Sequence, residues 1–345
     1  MDYGAMPMER PPDAVARRER LRRAGVATLE ICAVAALYYA SGKLGLLQQL
    51  VRGQVTPLWP PTGIALAGLL ILGLRVWPGI ALGAFLINIS LGPSLPAVLA
   101  IVSGNTLAPI CSYLLLRRAG FHTAMDRLRD ALALVFLGAF VGMLISPTVG
   151  AGALLLAGVL SSGEFWPTWS VWWTGDAMGV LVVAPVLLVL RSAHLPKNVS
   201  ASRWLEGSLL VVATVCTGIL QASHTPLLFL GFPVLIWAAF RFQRAGAAPC
   251  ALAVSAFAIV AAARATGPFA NNDLLTNMIT LQAFNGSAAL TALLIGAAVT
   301  ERNQTQREIE QACRQLADMV ERIDPGGDHR PEPPEHEGDD EEEGG

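Results

Sequence analysis

The sequence predicts an all-α, polytopic integral membrane bundle of about ten transmembrane helices (range eight to ten), followed by a short cytoplasmic helix and a disordered tail. Three observations predict this class. The 345 residues are 53% apolar and only 14% charged, whereas a soluble domain carries about 25% charged residues. Apolar runs of about 15–25 residues, long enough to span a bilayer, recur along the chain. The loops between these runs are short and mostly basic.

The distribution of Lys and Arg orients the predicted spans. Placing the N-terminus inside leaves three of the 24 basic residues, Lys43, Arg52 and Arg264, on the outer side. This asymmetry is what the positive-inside rule requires, and fusing the second and third spans would destroy it. Both termini are therefore expected to be cytoplasmic. The predicted spans are 26–48, 62–74, 77–91, 95–116, 131–159, 171–190, 204–222, 226–240, 246–264 and 278–299.

We expect four regions along the chain. Residues 1–24 form a basic cytoplasmic segment, and the long apolar run after it indicates an uncleaved first span rather than a signal peptide. Residues 25–300 form the membrane-embedded domain, and residues 301–324 form a cytoplasmic helix. Residues 325–345 are acidic and rich in Pro and Gly, which predicts disorder. No soluble catalytic or output domain is expected after the membrane part.

The stretch from Leu58 to Asn88 organises the rest of the chain. It opens with two adjacent prolines, Pro60 and Pro61, which fit the first turn of a helix but not its interior. The helix predicted at 62–74 rises only about 20 Å, less than the roughly 30 Å of a bilayer core. We therefore expect a short helix that starts below the membrane surface, with its positive N-terminal end directed into a cavity to hold anionic groups.

Enzyme and cofactor motifs are absent from the sequence. None of the five histidines lies within a predicted span, and the five cysteines form no CxxC pair. No P-loop, HExxH or GxSxG motif occurs. The sequence predicts a non-enzyme without metal, cofactor or nucleic-acid partner.

Asp176 is the most informative polar residue, because it lies about five residues into the sixth predicted span. An acid at the centre of a span costs roughly 2.5–3.5 kcal/mol on insertion scales. It either faces a water-filled cavity or reaches headgroup water as an interfacial aspartate. Lys43, near the outer end of the first span, is the expected charge partner.

Other polar groups lie at a similar depth, which predicts an outward-facing cavity lined by spans one, two, three, six and ten. Alternative roles stay open for the residues that line it. The tryptophans are also typical of an aromatic belt at the membrane interface. The side-chain amides are also typical of hydrogen bonds between helices that hold a bundle together. Asn105 is deeper and is interpreted mainly as such a structural amide. The expected signal-sensing residues are Trp59, Pro60, Pro61, Thr62, Gly63, Asn88, Trp173, Gly175, Asp176, Gly179, Gln282 and Asn285.

An apolar seam follows the last predicted span. Its members recur at alternating steps of three and four residues over two heptads, as in a coiled coil. A homodimer through this seam and a helix that simply continues from the last span are equally favoured. The seam residues are Ile309, Ala312, Leu316, Met319 and Ile323.

Two signatures in this order resemble the type-one membrane-associated sensor (MASE) family. The first runs from Leu58 to Leu66 and continues through Trp77-Pro78-Gly79 to Asn88; the second runs from Trp173 to Leu181 and continues to Ala184-Pro185. The resemblance covers about residues 25–300. It implies a sensory input module of the bacterial inner membrane, which in this family usually precedes a histidine kinase, a diguanylate cyclase or a phosphodiesterase domain.

The chain differs from that pattern because no such domain follows residue 323. Three interpretations stay open: a sensor that signals through a separate cytoplasmic kinase or cyclase, a truncated remnant, or a fragment of a longer product. The expected function is detection of an unknown small-molecule or membrane-derived signal in the outer cavity, passed on by the last span. A small-molecule transporter is the alternative, because broken helices with polar groups at mid-depth are typical of transporters too. A structural scaffold that binds no ligand is the third possible function.

Overall fold

A computed structural model describes residues 12–46, 58–92, 94–192, 200–223, 227–270 and 272–323. Within these ranges the chain is helical and contains no β-strand. The predicted acidic tail, 325–345, lies outside the described residues. Residues 1–301 and 302–345 form two separate compact units.

Nine helices account for the predicted bundle in the described residues. Seven are long and apolar enough to cross a membrane, and two, α2 and α3, are shorter. The helices are α1 Pro12–Leu46, α2 Pro60–Leu72, α3 Trp77–Asn88, α4 Leu95–Arg118, α5 Leu128–Leu156, α6 Ser162–Ser192, α7 Ala201–Gln221, α8 Gly231–Ala263 and α9 Leu274–Ile323. The all-α membrane fold is confirmed.

The eighth helix explains why ten apolar segments were expected. Gln243 has non-helical backbone angles (φ 52°, ψ −141°) and interrupts α8. The break falls between the predicted spans 226–240 and 246–264, beside the basic residues Arg241 and Arg244. With α8 counted as two segments, the ten predicted segments map onto the nine described helices, of which seven, against ten predicted spans, are long and apolar enough to cross a membrane.

Helix α2 lies at the centre of the first part of the bundle. Pro60 and Pro61 occupy its first two positions, as predicted, and it ends after 13 residues at Gly73, whose φ of 85° reverses the chain. A short 3₁₀ turn, Leu74–Val76, then leads into α3. Helix α2 packs against α1, α4 and α6. The residues it buries completely are Ala65, Leu66 and Leu69.

Two helices begin earlier than predicted. Helix α1 starts at Pro12, so the basic segment 1–24 is helical from that residue onward. Helix α6 was expected to start near residue 171 but begins at Ser162, because a capping box forms there. The Ser161 hydroxyl donates to the Glu164 carboxylate at 2.9 Å, and the Ser161 backbone N–H donates to it at 3.0 Å. The Trp-rich segment therefore lies on a helix.

Helices α5 and α6 each contain a π-helical segment, Leu134–Val141 and Gly179–Val183. Such segments are rare and often occur at functional sites. The segment in α6 packs directly against α2. It lies within the second signature identified in the sequence, which runs from Trp173 to Pro185.

Small residues allow the last helices to approach closely. Ala247 and Ala251 of α8 pack with Ala288 and Ala292 of α9 in one buried cluster. Among residues 302–323, by contrast, the seam residues Ile309, Leu316 and Met319 are exposed.

Candidate functional site

A cavity of about 60 Å³ lies between the first six helices. About 10–15 Å³ on this scale holds one water molecule, so several waters or a small molecule fit. The lining residues lie mostly near helix ends: Leu46, Trp59, Asn88, Leu91, Gly92, Ile101, Asn105, Leu154, Trp172 and Gly175.

The cavity lies at one end of the bundle. Leu46 ends α1, whereas Glu30, sixteen residues earlier in the same helix, forms an ion pair with Arg75 at 2.9 Å. At 1.5 Å per residue these two levels of α1 are about 24 Å apart. Glu30 thus marks the end of the bundle opposite the cavity.

A buried polar contact connects α2 and α6 behind the cavity wall. The Thr62 hydroxyl donates a 2.6 Å hydrogen bond to Oδ1 of Asp176. Both residues are buried, and Oδ2 of Asp176 has no hydrogen-bond partner among the described residues. Burying a carboxylate oxygen without a hydrogen-bond partner in an apolar interior lowers the stability of the folded state. The contact is therefore sensitive to any change in the distance between α2 and α6.

Backbone contacts hold the same two helices together. The backbone N–H of Trp59 donates to the Gly175 carbonyl at 3.0 Å. Gly63 and Gly179 face each other so closely that a Cβ on Gly63 would overlap the Gly179 carbonyl oxygen. A Cβ on Gly179 would likewise overlap the Trp59 carbonyl oxygen. Only glycine fits at these two positions of the interface.

A second set of polar side chains extends from this contact to the cavity. The Ser146 hydroxyl of α5 donates to the Asn105 side-chain oxygen at 2.9 Å. Buried Tyr38 of α1 interacts with the side chains of Trp59 and Asn105. Asn105 lines the cavity, so polar groups from α1, α4 and α5 meet there as well.

Only part of the predicted site lines the cavity. Trp59, Asn88 and Gly175 do so. Thr62 and Asp176 lie buried behind the wall, and Gly63 and Gly179 form the helix contact just described. Asn88 also donates from its side chain to the Ala84 carbonyl at 2.8 Å. The two prolines shape the first turn of α2.

The other predicted residues lie elsewhere. Trp173 donates from its indole N–H to the Phe140 carbonyl at 3.0 Å and packs against α5. Lys43 is exposed, with its ammonium 5.4 Å from the Tyr39 ring centroid, and forms no ion pair with Asp176 among the described residues. Gln282 and Asn285 lie on α9, which contributes no described residue to the cavity wall. The structure thus replaces the tenth span in the expected lining with α4 and α5.

Two polar or aromatic lining residues, Asn105 and Trp172, were not among the expected signal-sensing residues. Asn105 was interpreted mainly as a structural amide. The Trp172 ring occupies the space above Gly150 of α5, where a Cβ would overlap it. The sequence does contain this pairing of a small residue, Gly150, with a large aromatic one, Trp172. It indicates the position of the Trp172 ring only once α5 and α6 are known to be neighbours.

The positive end of α2 meets a carboxylate of the chain itself. Thr62 is in the first turn of α2, and its partner Asp176 therefore lies where a helix dipole favours negative charge. Pro60 and Pro61 have no N–H to offer to a ligand. The expected anion site at this helix end is thus filled by Asp176.

Comparisons with known proteins agree with this architecture. The MASE1 family model matches residues 30–303. The chain is also 26% identical over 198 residues to the probable diguanylate cyclase DgcE of Escherichia coli strain K12. That match covers 55% of this chain and 17% of the Escherichia coli protein, so the chain spans a small part of its relative. No solved structure matches. The chain belongs to the MASE1 family of membrane sensor domains.

Proposed function

We propose that the chain detects a small molecule in the outer cavity and passes the signal through α6 and α9 to a cytoplasmic output partner. The observation that supports this most directly is the Thr62–Asp176 hydrogen bond, 2.6 Å long and buried immediately behind the cavity wall. A ligand that separates α2 from α6 stretches this contact. A ligand that draws α2 and α6 together preserves this contact. A switch requires a ligand that binds one of the two states more tightly than the other.

The residues that line the cavity favour a small, mostly uncharged ligand. Amides of Asn88 and Asn105 provide donors and acceptors, and Trp59 and Trp172 provide apolar area. A few polar groups in an apolar lining are typical of small-molecule sites. The lining contains no Lys, Arg, Asp or Glu among the described residues.

A short path connects the buried contact with α9. Met178 lies two residues after Asp176, and its terminal methyl is 3.7 Å from the position a Cβ would take on Gly286 of α9. This contact is the proposed route by which a shift of α6 at Asp176 reaches α9. The distribution of basic residues supports a cytoplasmic location for both termini.

The apolar seam after residue 301 is the proposed output surface. Ile309 and Leu316 each expose 58% of their surface. Such residues at heptad spacing favour pairing with a second copy of the same helix. A separate kinase or cyclase is the proposed partner class, in line with the diguanylate cyclase named among the relatives.

A chimera tests the proposed function. Residues 1–323 are fused in heptad register to a diguanylate cyclase output domain, and wild type is compared with Asp176→Asn and Asn88→Ala at equal membrane expression. We expect both variants to change cyclase output, because one alters the α2–α6 contact and the other alters the cavity wall. A matched exposed variant, Arg314→Gln, controls for general effects on the fusion.

Unchanged output in both variants, with the output domain active, would refute the sensing role of this site. Uptake of a solute into proteoliposomes in the absence of any signalling change would instead support a transporter.

A further inference from the structure

A second cluster of polar residues lies at the opposite end of the bundle, in the segment that joins α4 to α5. It contains His122, Asp126 and Asp130, and one ligand atom from each lies within 4.8 Å of the others. The sequence spaces them four residues apart. This cluster belongs to neither the cavity nor the Thr62–Asp176 contact.

The backbone of this segment holds the three side chains together. The Met125 backbone N–H donates to the His122 carbonyl at 2.8 Å, and Met125 itself has a φ of +49°, which is unusual for a residue with a side chain. The His122 backbone N–H donates to Oδ1 of Asp130 at 3.1 Å. The tight turn and this bond together bring the start of the loop back to the start of α5.

Asp130 provides the observation that points to a ligand. Its residue exposure is 1%, and Oδ2 is buried without a hydrogen-bond partner among the described residues. A buried carboxylate needs a cation or donors to offset its desolvation. Since Oδ1 is already bonded to the His122 backbone, the remaining oxygen is available to a ligand.

A cation of the chain already faces the cluster. Arg244, at the break in α8, interacts electrostatically with both Asp126 and Asp130. Arg244 therefore competes with any other cation for these carboxylates.

We propose that His122, Asp126 and Asp130 bind one divalent first-row transition-metal ion of the Zn²⁺ class. An imidazole with two carboxylates suits such ions, whereas Mg²⁺ and Ca²⁺ prefer oxygen ligands alone. Exposed His122 gives the ion access from solvent, and buried Asp130 anchors it.

Binding at this place would influence the last helix. The backbone N–H of Leu128, two residues before Asp130, donates to the Glu301 carboxylate of α9 at 2.8 Å. An ion that orders residues 122–130 therefore also fixes the partner of Glu301. The metal site and the cavity lie toward opposite ends of α4 and share no residue.

Zn²⁺ titration of the purified full chain in nanodiscs, in competition with a chelating dye, tests the proposal. We expect wild type to bind one more ion per chain than Asp130→Asn, which keeps an oxygen acceptor for the His122 N–H. His122→Gln should weaken that site by about 10–100-fold or more. Arg244→Gln should tighten it, because the competing cation is removed. The tail, with His329 and His336, is present in every variant and contributes equally.

Equal stoichiometry and affinity in wild type and His122→Gln would overturn the proposal. His122 is exposed, so its substitution leaves the fold intact and this comparison does not depend on the folding of the Asp130 variant. Weaker Zn²⁺ binding in Arg244→Gln than in wild type would also contradict it.

Discussion

Replacing Gly63 with alanine should separate α2 from α6. A Cβ there would overlap the Gly179 carbonyl oxygen and come within 2.8 Å of the Val183 Cβ. The first of these atoms belongs to the backbone, so a side-chain rotation cannot relieve the overlap. Overpacking of this kind costs about 1–3 kcal/mol.

Gly152→Ala is the matched control, because a Cβ on Gly152 of α5 has no atom within 4 Å. Both substitutions gain helix propensity, about 1 kcal/mol in an exposed helix, so the difference between them isolates the overlap. The assay is equilibrium unfolding of each variant in mixed detergent micelles. We expect Gly63→Ala to be less stable than Gly152→Ala by about 1–3 kcal/mol. Equal stability of the two variants would refute the close contact of α2 and α6.

Three further predictions concern polar contacts and the output helix. Thr62→Val should lower the free energy of unfolding by about 1–3 kcal/mol, whereas Thr62→Ser keeps the hydroxyl; equal losses in the same unfolding assay would contradict the buried bond. A double-mutant cycle of Ser146→Ala and Asn105→Ala should give a coupling energy of about 0.6–1.7 kcal/mol, and strict additivity would argue against their bond. With the native cysteines replaced, Leu316→Cys should form disulfide-linked dimers in membranes more readily than Arg314→Cys, and equal cross-linking would speak against the seam.

The sequence was most informative where backbone chemistry restricts structure. Adjacent prolines predicted the start of α2, and Gly73 with the Trp77-Pro78 pair allowed the turn into α3. The break at Gln243 also falls where basic residues separated two apolar runs. These features depend on local φ/ψ limits, and a single sequence carries them directly.

The site was predicted only in part. The sequence indicates how deep a residue lies in the membrane, but it does not indicate which way the helix is rotated about its axis. Asn88 and Asn285 lie at similar predicted depth, yet only Asn88 faces the cavity. Asn105 was assigned a structural role from its greater depth, although it lines the cavity. Which helices are neighbours depends on packing between segments far apart in the chain, and one sequence does not carry that information.

The identity of the partner of Asp176 illustrates the same point. Lys43 was chosen as its partner by depth, but the structure gives Asp176 a hydroxyl donor, Thr62, at the first turn of α2. The candidate site therefore consists of a buried contact between α2 and α6 and a separate cavity wall.

Thiol labelling of Asn88→Cys in intact cells tests the central claim, that the cavity is open to the outer side. The native cysteines are replaced, and a membrane-impermeant maleimide is added before and after permeabilisation. Arg75→Cys, at the opposite end of α3, is the control and should react only after permeabilisation. We predict that Asn88→Cys reacts in intact cells. Reaction of Asn88→Cys only after permeabilisation, or reaction of Arg75→Cys in intact cells, would contradict the outward-facing cavity.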